Sequence, residues 1–103
     1  MPQQAAAFDP DASWALHAQV AVRPEPFGAL LYHFGTRKLS FLKSRAVVDV
    51  VRSLEHHESA SAALRGHGLA GAAAQPYLAA LRALADSAMI VRRGGAPANE
   101  EDS

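Results

Sequence analysis

The chain has 103 residues, ten lysines and arginines balanced by ten aspartates and glutamates, and no cysteine. Balanced charge leaves no net field drawing it to nucleic acid, a membrane surface or an acidic ligand, and without thiols there is no disulfide, thiolate metal site or cysteine nucleophile. The length suits one small domain with a single core of modest stability.

Residues 1–12 are polar and alanine-rich with two prolines and read as a loose tail ahead of a folded unit over 13–93. They lack the basic and apolar regions of a secretion signal. No apolar run approaches the roughly 20 residues of a membrane span, so a cytoplasmic protein is expected. Trp14 marks where order begins. Leu16, Ala18, Val20 and Val22 alternate with His17, Gln19 and Arg23, the period-2 pattern of one half-buried strand. Pro24 and Pro26 are expected to end it.

The following stretch, to Ser44, holds Phe27, Tyr32, Phe34 and Phe41, four of the seven aromatic residues. Gly35-Thr36 predicts a two-residue type II′ turn, with glycine supplying the positive φ. Tyr32 then faces Leu39 and Leu30 faces Phe41, which gathers Leu30, Tyr32, Phe34, Leu39 and Phe41 on one face, expected to seat on the core. Leu31, His33, Lys38, Ser40 and Leu42 form the mixed opposite face. In such a turn the flanking residues are a hydrogen-bonded pair, so Arg37, Leu39 and Phe41 are expected to point their N–H groups inward. Lys38, Ser40 and Leu42 then point theirs to a free outer edge, a template for another extended chain.

Ser44 is positioned to cap a helix whose Val47, Val50, Val51 and Leu54 recur at i, i+3, i+4 and i+7. Glu55-His56-His57-Glu58 reads as a solvated link, because adjacent histidines point to opposite sides and no i, i+4 ligand set accompanies them; no metal site is expected. Ser59 is a second cap, for a short helix stopped by Gly66. From Pro76, a good first-turn residue, the apolar residues Tyr77, Leu78, Leu81, Leu84 and Ala85 mark one face of a third helix. Met89-Ile90-Val91 is open to either a brief strand or plain extended chain. Residues 94–103, rich in glycine, proline and acid, read as a disordered tail. The sum is an α+β, winged-helix-like domain: a three-stranded antiparallel sheet followed by three helices.

This order of elements, with the block VRPEPFGALLYHFGTRKLSFLKS above all, closely resembles the mycofactocin branch of the PqqD-like RiPP recognition element family, over roughly Ser13 to Arg93. PqqD-like domains often place a glycine before the last apolar pair, where this chain has Ala88. The resemblance implies a non-catalytic peptide chaperone without a cofactor. Such proteins bind the leader of a ribosomally made precursor peptide, here the mycofactocin precursor, and present it to a radical S-adenosylmethionine maturase. In the family the leader adds as a strand over a groove beside the third helix. The resemblance therefore implies an edge at Lys38, Leu39, Ser40, Phe41 and Leu42 and a groove wall of Tyr77, Leu78, Leu81 and Leu84.

The alternative is a winged-helix nucleic-acid binder with the third helix in a groove. That helix carries a single basic residue, Arg82, where phosphate contacts need several. For an enzyme, the chain shows no nucleophile with a base, carboxylate pair, phosphate loop or metal set.

Overall fold

The computed structural model describes residues 8–93. Five strands and three helices follow one another as β1 (Trp14–Leu16), β2 (Val20–Glu25), β3 (Gly28–His33), β4 (Leu39–Leu42), α1 (Arg45–Ser53), α2 (Ala60–Gly66), α3 (Gln75–Asp86) and β5 (Ile90–Arg92). Short 3₁₀ turns, Leu54–His56 and Gly71–Ala74, precede α2 and α3. The sheet β2-β3-β4 is antiparallel, and β1 pairs with β5 in a separate two-stranded ribbon. The expected three-stranded sheet followed by three helices is therefore present.

The first strand differs from expectation. It breaks at His17, whose Nδ1 accepts from the Gln19 N–H and whose carbonyl accepts from Val20, while its own amide donates to Met89. The alternation marks extended chain correctly, but the side chain of His17 builds a turn that sends the two halves to different sheets. Met89-Ile90-Val91 supplies the partner for the first half: Leu16 pairs with Ile90 and Trp14 with Arg92. Pro24 does not end β2 but sits inside it, opposite Ala29. It is tolerated because β2 is an edge strand and this position points its nitrogen away from β3.

The β3–β4 register is the expected one, with Tyr32 opposite Leu39 and Leu30 opposite Phe41. The turn is not. His33 donates to Lys38 and accepts from Arg37, so the loop is Phe34 to Arg37, and the left-handed residue is Arg37 (φ 66°), not Gly35. Both loops conserve the register because each is centred between Gly35 and Thr36. Gly35 is needed for space instead, since a Cβ there would lie 2.4 Å from Gln19 Oε1 and 2.8 Å from the His33 ring.

The faces of the hairpin are the reverse of those expected. Ala29, Leu31, His33 and Leu42 are buried, whereas Phe34 is 61% exposed, Phe41 60% and Leu39 54%. Close approach of the helices selects the slim aliphatic face, and bulk and aromaticity do not by themselves identify a core. Gly28 shows how tight this layer is, with room for no side chain beside the Leu42 carbonyl, 2.0 Å from the position of a Cβ. His33 is held there by its Nδ1, which accepts from the amides of Gly35 and Thr36 at 3.0 and 3.1 Å and so offsets part of the penalty of burying it, while its Nε2 is buried without a partner.

Ser44 caps α1, its Oγ accepting from Ala46 and Val47, and Ser59 caps α2 through Ala62. Val50, Val51 and Leu54 of the predicted stripe are each 1% exposed. Burial of such a side chain contributes about 1.5–3 kcal/mol against about 1 kcal/mol for a cap, so packing holds α1 in place and Ser44 sets where it starts. Helix α2 runs one residue beyond the expected stop: Gly66 is helical, and Gly68 (φ 77°) takes the left-handed position two residues later. Gly68 donates to Arg65 and Leu69 to Leu64, the paired bonds of a Schellman ending. Helix α3 ends the same way, with Ala88 donating to Ala85, Met89 to Leu84, and Ala88 itself at φ 62°.

At the N-terminal side the fold begins earlier than Trp14. Phe8 and Ala12 are buried, the Phe8 and Trp14 rings lie 5.0 Å apart, and Trp14 Nε1 donates to Asp9. Ala60 and Ser61 donate to the carbonyls of Ala12 and Pro10, which ties this segment to the start of α2. Prolines in a polar segment look like a tail but also suit a turn that presents carbonyls. The remainder of the expected N-terminal tail, 1–7, and the whole of 94–103 lie outside the described residues.

Candidate functional site

Strand β4 is an outer strand of its sheet, and its hydrogen-bonding parity decides what it offers. Because His33 donates to the Lys38 carbonyl and antiparallel pairs alternate between bonded and non-bonded, Ser40 bonds to Leu31 and Leu42 to Ala29. The N–H and C=O groups of Leu39 and Phe41 point outward. This corrects the parity expected from a two-residue turn, which had Ser40 outward and Leu39 inward. Moving the loop from two residues to four leaves the register alone and exchanges the two sets. Among the described residues nothing accepts from the Leu39 or Phe41 amide on that side.

The other edge of the sheet is β2. Hollows lie between it and α1, one lined by Leu16, Val22, Val51, Arg52 and Glu55 and another including Pro24, Arg45 and Asp49. Its edge is poorly suited to strand addition, however. The outward set there is Val20, Val22 and Pro24; the Val20 amide already donates to His17, and proline has none. Only Val22 is left, against two consecutive outward positions on β4.

The expected site residues fall into two groups. Lys38, Leu39 and Phe41 are exposed, Ser40 is half-buried and Leu42 is buried, all along one edge. Tyr77 and Leu78 are half-buried on α3, while Leu81 and Leu84 are 1% and 4% exposed and belong to the core. Leu78 lines a hollow with Leu64, Leu69 and Ala74, on the α2 side. Helix α3 packs chiefly on β5, α1 and the 3₁₀ turn before it, and β4 on β3 and α1.

Phe34, expected on the core-facing side of the hairpin, and Phe27, for which the sequence suggests no role, are both exposed. Phe27 (45% exposed) stands beside Phe41 with ring centroids 6.2 Å apart, and together with Lys43 they line a shallow apolar hollow next to the β4 edge. At the far end of the hairpin Tyr32 and Phe34 meet edge to face at 4.8 Å. The usable signal was a tally of the two faces: Ala29, Leu31 and Leu42 fit close to a helix, and the aromatic face does not.

The histidines do not build a site. His17 and His33 meet with ring centroids 4.3 Å apart, but the Nδ1 of each is already taken by backbone N–H donors, and the Nε2 of His33 is buried. His56 is exposed beside Glu55. Among the described residues no group of three histidines or carboxylates is arranged to hold a metal ion, and no helix is long and apolar enough to cross a membrane.

The family model described as the peptide chaperone MftB family matches residues 13–91. The chain is 62% identical over 96 residues to the peptide chaperone MftB of Mycolicibacterium smegmatis, covering 93% of this chain and 89% of that protein. It is 62% identical over 94 residues to the protein of the same name from Mycobacterium ulcerans, covering 87% and 86%, and 59% identical over 86 residues to that of Mycobacterium tuberculosis, covering 84% and 79%. No solved structure matches it.

Proposed function

The chain belongs to the peptide chaperone MftB family, and from that premise we propose that it is a non-catalytic cytoplasmic adaptor that holds the leader of the mycofactocin precursor peptide and presents it to a radical S-adenosylmethionine maturase. The peptide adds as a strand along Lys38 to Leu42. The observation that carries this reading is the pair of outward-facing residues Leu39 and Phe41, an open edge of main-chain donors and acceptors of the kind that binds extended peptides. The opposite edge is blunted by Pro24. Of the four α3 residues expected in the groove wall, Tyr77 and Leu78 have surface left to meet a ligand, and Leu81 and Leu84 hold that helix from beneath. A nucleic-acid role finds no support in α3, whose single basic residue is Arg82.

Calorimetric titration with the precursor peptide at several temperatures tests the proposal. Burial of apolar surface in coupled ordering predicts a negative heat-capacity change, and the peptide-loaded protein should be retained by the maturase. Absence of binding to the cognate precursor overturns the adaptor reading, and a sequence-dependent DNA shift at physiological salt favours the nucleic-acid alternative.

A further inference from the structure

The parity of β4 also determines where the side chains of an added strand go. Along a strand, alternate side chains share a face. Leu39 and Phe41, whose outward main-chain groups have no partner among the described residues, carry their side chains on the aromatic face, away from the helices. The added residues in step with them therefore lie on that face too, beside Leu39, Phe41 and the hollow of Phe27, Phe41 and Lys43. Exposed apolar groups gathered in this way mark an interaction surface more often than chance scatter does.

Charge identifies the occupant. Arg37, Lys38 and Lys43 are all exposed and flank the edge at both ends, and no carboxylate among the described residues lies within salt-bridge distance of any of them. A second copy of the chain, paired antiparallel with Leu39 opposite Phe41, would place Arg37 opposite Lys43, and like charges directly opposite are destabilising. An acidic peptide has the complementary arrangement.

We propose that β4 selects an extended peptide whose alternate residues on the aromatic face are apolar, with one seated in the Phe27–Phe41 hollow and a carboxylate neighbouring it toward Lys43. This rests on the strand-addition reading above and adds to it a specificity determinant outside β4, namely Phe27 in the β2–β3 turn.

Titration of the precursor peptide into wild type, Phe27→Ser, Lys43→Glu and Leu39→Pro separates the two levels, with thermal melts alongside. Phe27 and Lys43 are exposed, so both single variants should melt as wild type. Phe27→Ser should weaken binding about tenfold, the effect of losing an aromatic anchor. Lys43→Glu should weaken it by a similar factor at low salt and by less at 0.5 M salt, because screening shortens the reach of an exposed charge to about 4 Å. If Leu39→Pro loses the peptide while Phe27→Ser and Lys43→Glu bind as wild type, the aromatic-face assignment is wrong and strand addition stands. If all three bind as wild type, strand addition itself fails. Phe27→Ser that keeps the peptide but loses the maturase, or that dissolves a dimer of the free protein in sedimentation, reassigns the hollow to that partner and overturns the proposal.

Discussion

The amide of His33 donates to the carbonyl of Lys38 across 2.9 Å, and this one bond settles which residues of β4 face β3 and which face outward. Proline deletes one N–H and tolerates extended backbone at a sheet edge, so two adjacent substitutions should have opposite outcomes. Leu39→Pro should melt close to wild type and weaken the peptide by about 1–3 kcal/mol, the cost of an unmade hydrogen bond. Ser40→Pro should break the bond to Leu31 beneath a packed layer and lower stability by a similar amount. Thermal melts and peptide titrations of both proteins check this, and the reverse pattern would restore the two-residue turn.

Ala88 occupies a left-handed position (φ 62°) between the buried residues Leu84 and Met89, where glycine is the ordinary occupant. The left-handed conformation costs an L-residue roughly 1–2 kcal/mol, and glycine loses about 0.5–1 kcal/mol through its freer unfolded chain. Relief of strain wins by a small margin. Ala88→Gly should therefore stabilise the domain by about 0.5–1 kcal/mol, visible as a higher midpoint in urea with an unchanged slope.

His33 is 3% exposed, and its Nδ1 takes the amides of both Gly35 and Thr36. His33→Phe keeps most of the volume but leaves both amides without their acceptor. The expected loss is about 1–3 kcal/mol, with faster hydrogen exchange at Gly35 and Thr36 than at Leu31. Unchanged exchange at those two amides would show that the bonds to the imidazole are not what protects them.

Leu81 is 1% exposed, so Leu81→Ala should destabilise by about 2–5 kcal/mol and Leu81→Asp should unfold the domain. Tyr77→Ala, at a half-buried position, should remain folded by circular dichroism. Loss of peptide by folded Tyr77→Ala would support a groove wall on α3. A folded Leu81→Asp that loses the peptide would mean that Leu81 faces the ligand and not the core.

What the sequence determined by itself were the features that depend on local chemistry. The caps at Ser44 and Ser59 need only an oxygen within reach of the next turn, the stripe of Val50, Val51 and Leu54 is a matter of helical period, and the β3–β4 register follows from where the loop is centred. The family was legible in the block around that hairpin for the same reason.

Tertiary structure alone decided which face of the hairpin is buried, because burial depends on what packs against it. The close approach of α1 admits Ala29, Leu31 and Leu42 and leaves Phe27, Phe34 and Phe41 outside. It also decided the loop. Gly35 offers positive φ, but the Nδ1 of His33 draws in the amides of Gly35 and Thr36, the left-handed turn moves to Arg37, and the outward set on β4 passes to Leu39 and Phe41. Likewise the break at His17 and the packing of Phe8 on Trp14 depend on partners far along the chain, Met89 and the start of α2. No local pattern encodes such partners, since the free energy that selects them is released only when the whole core closes.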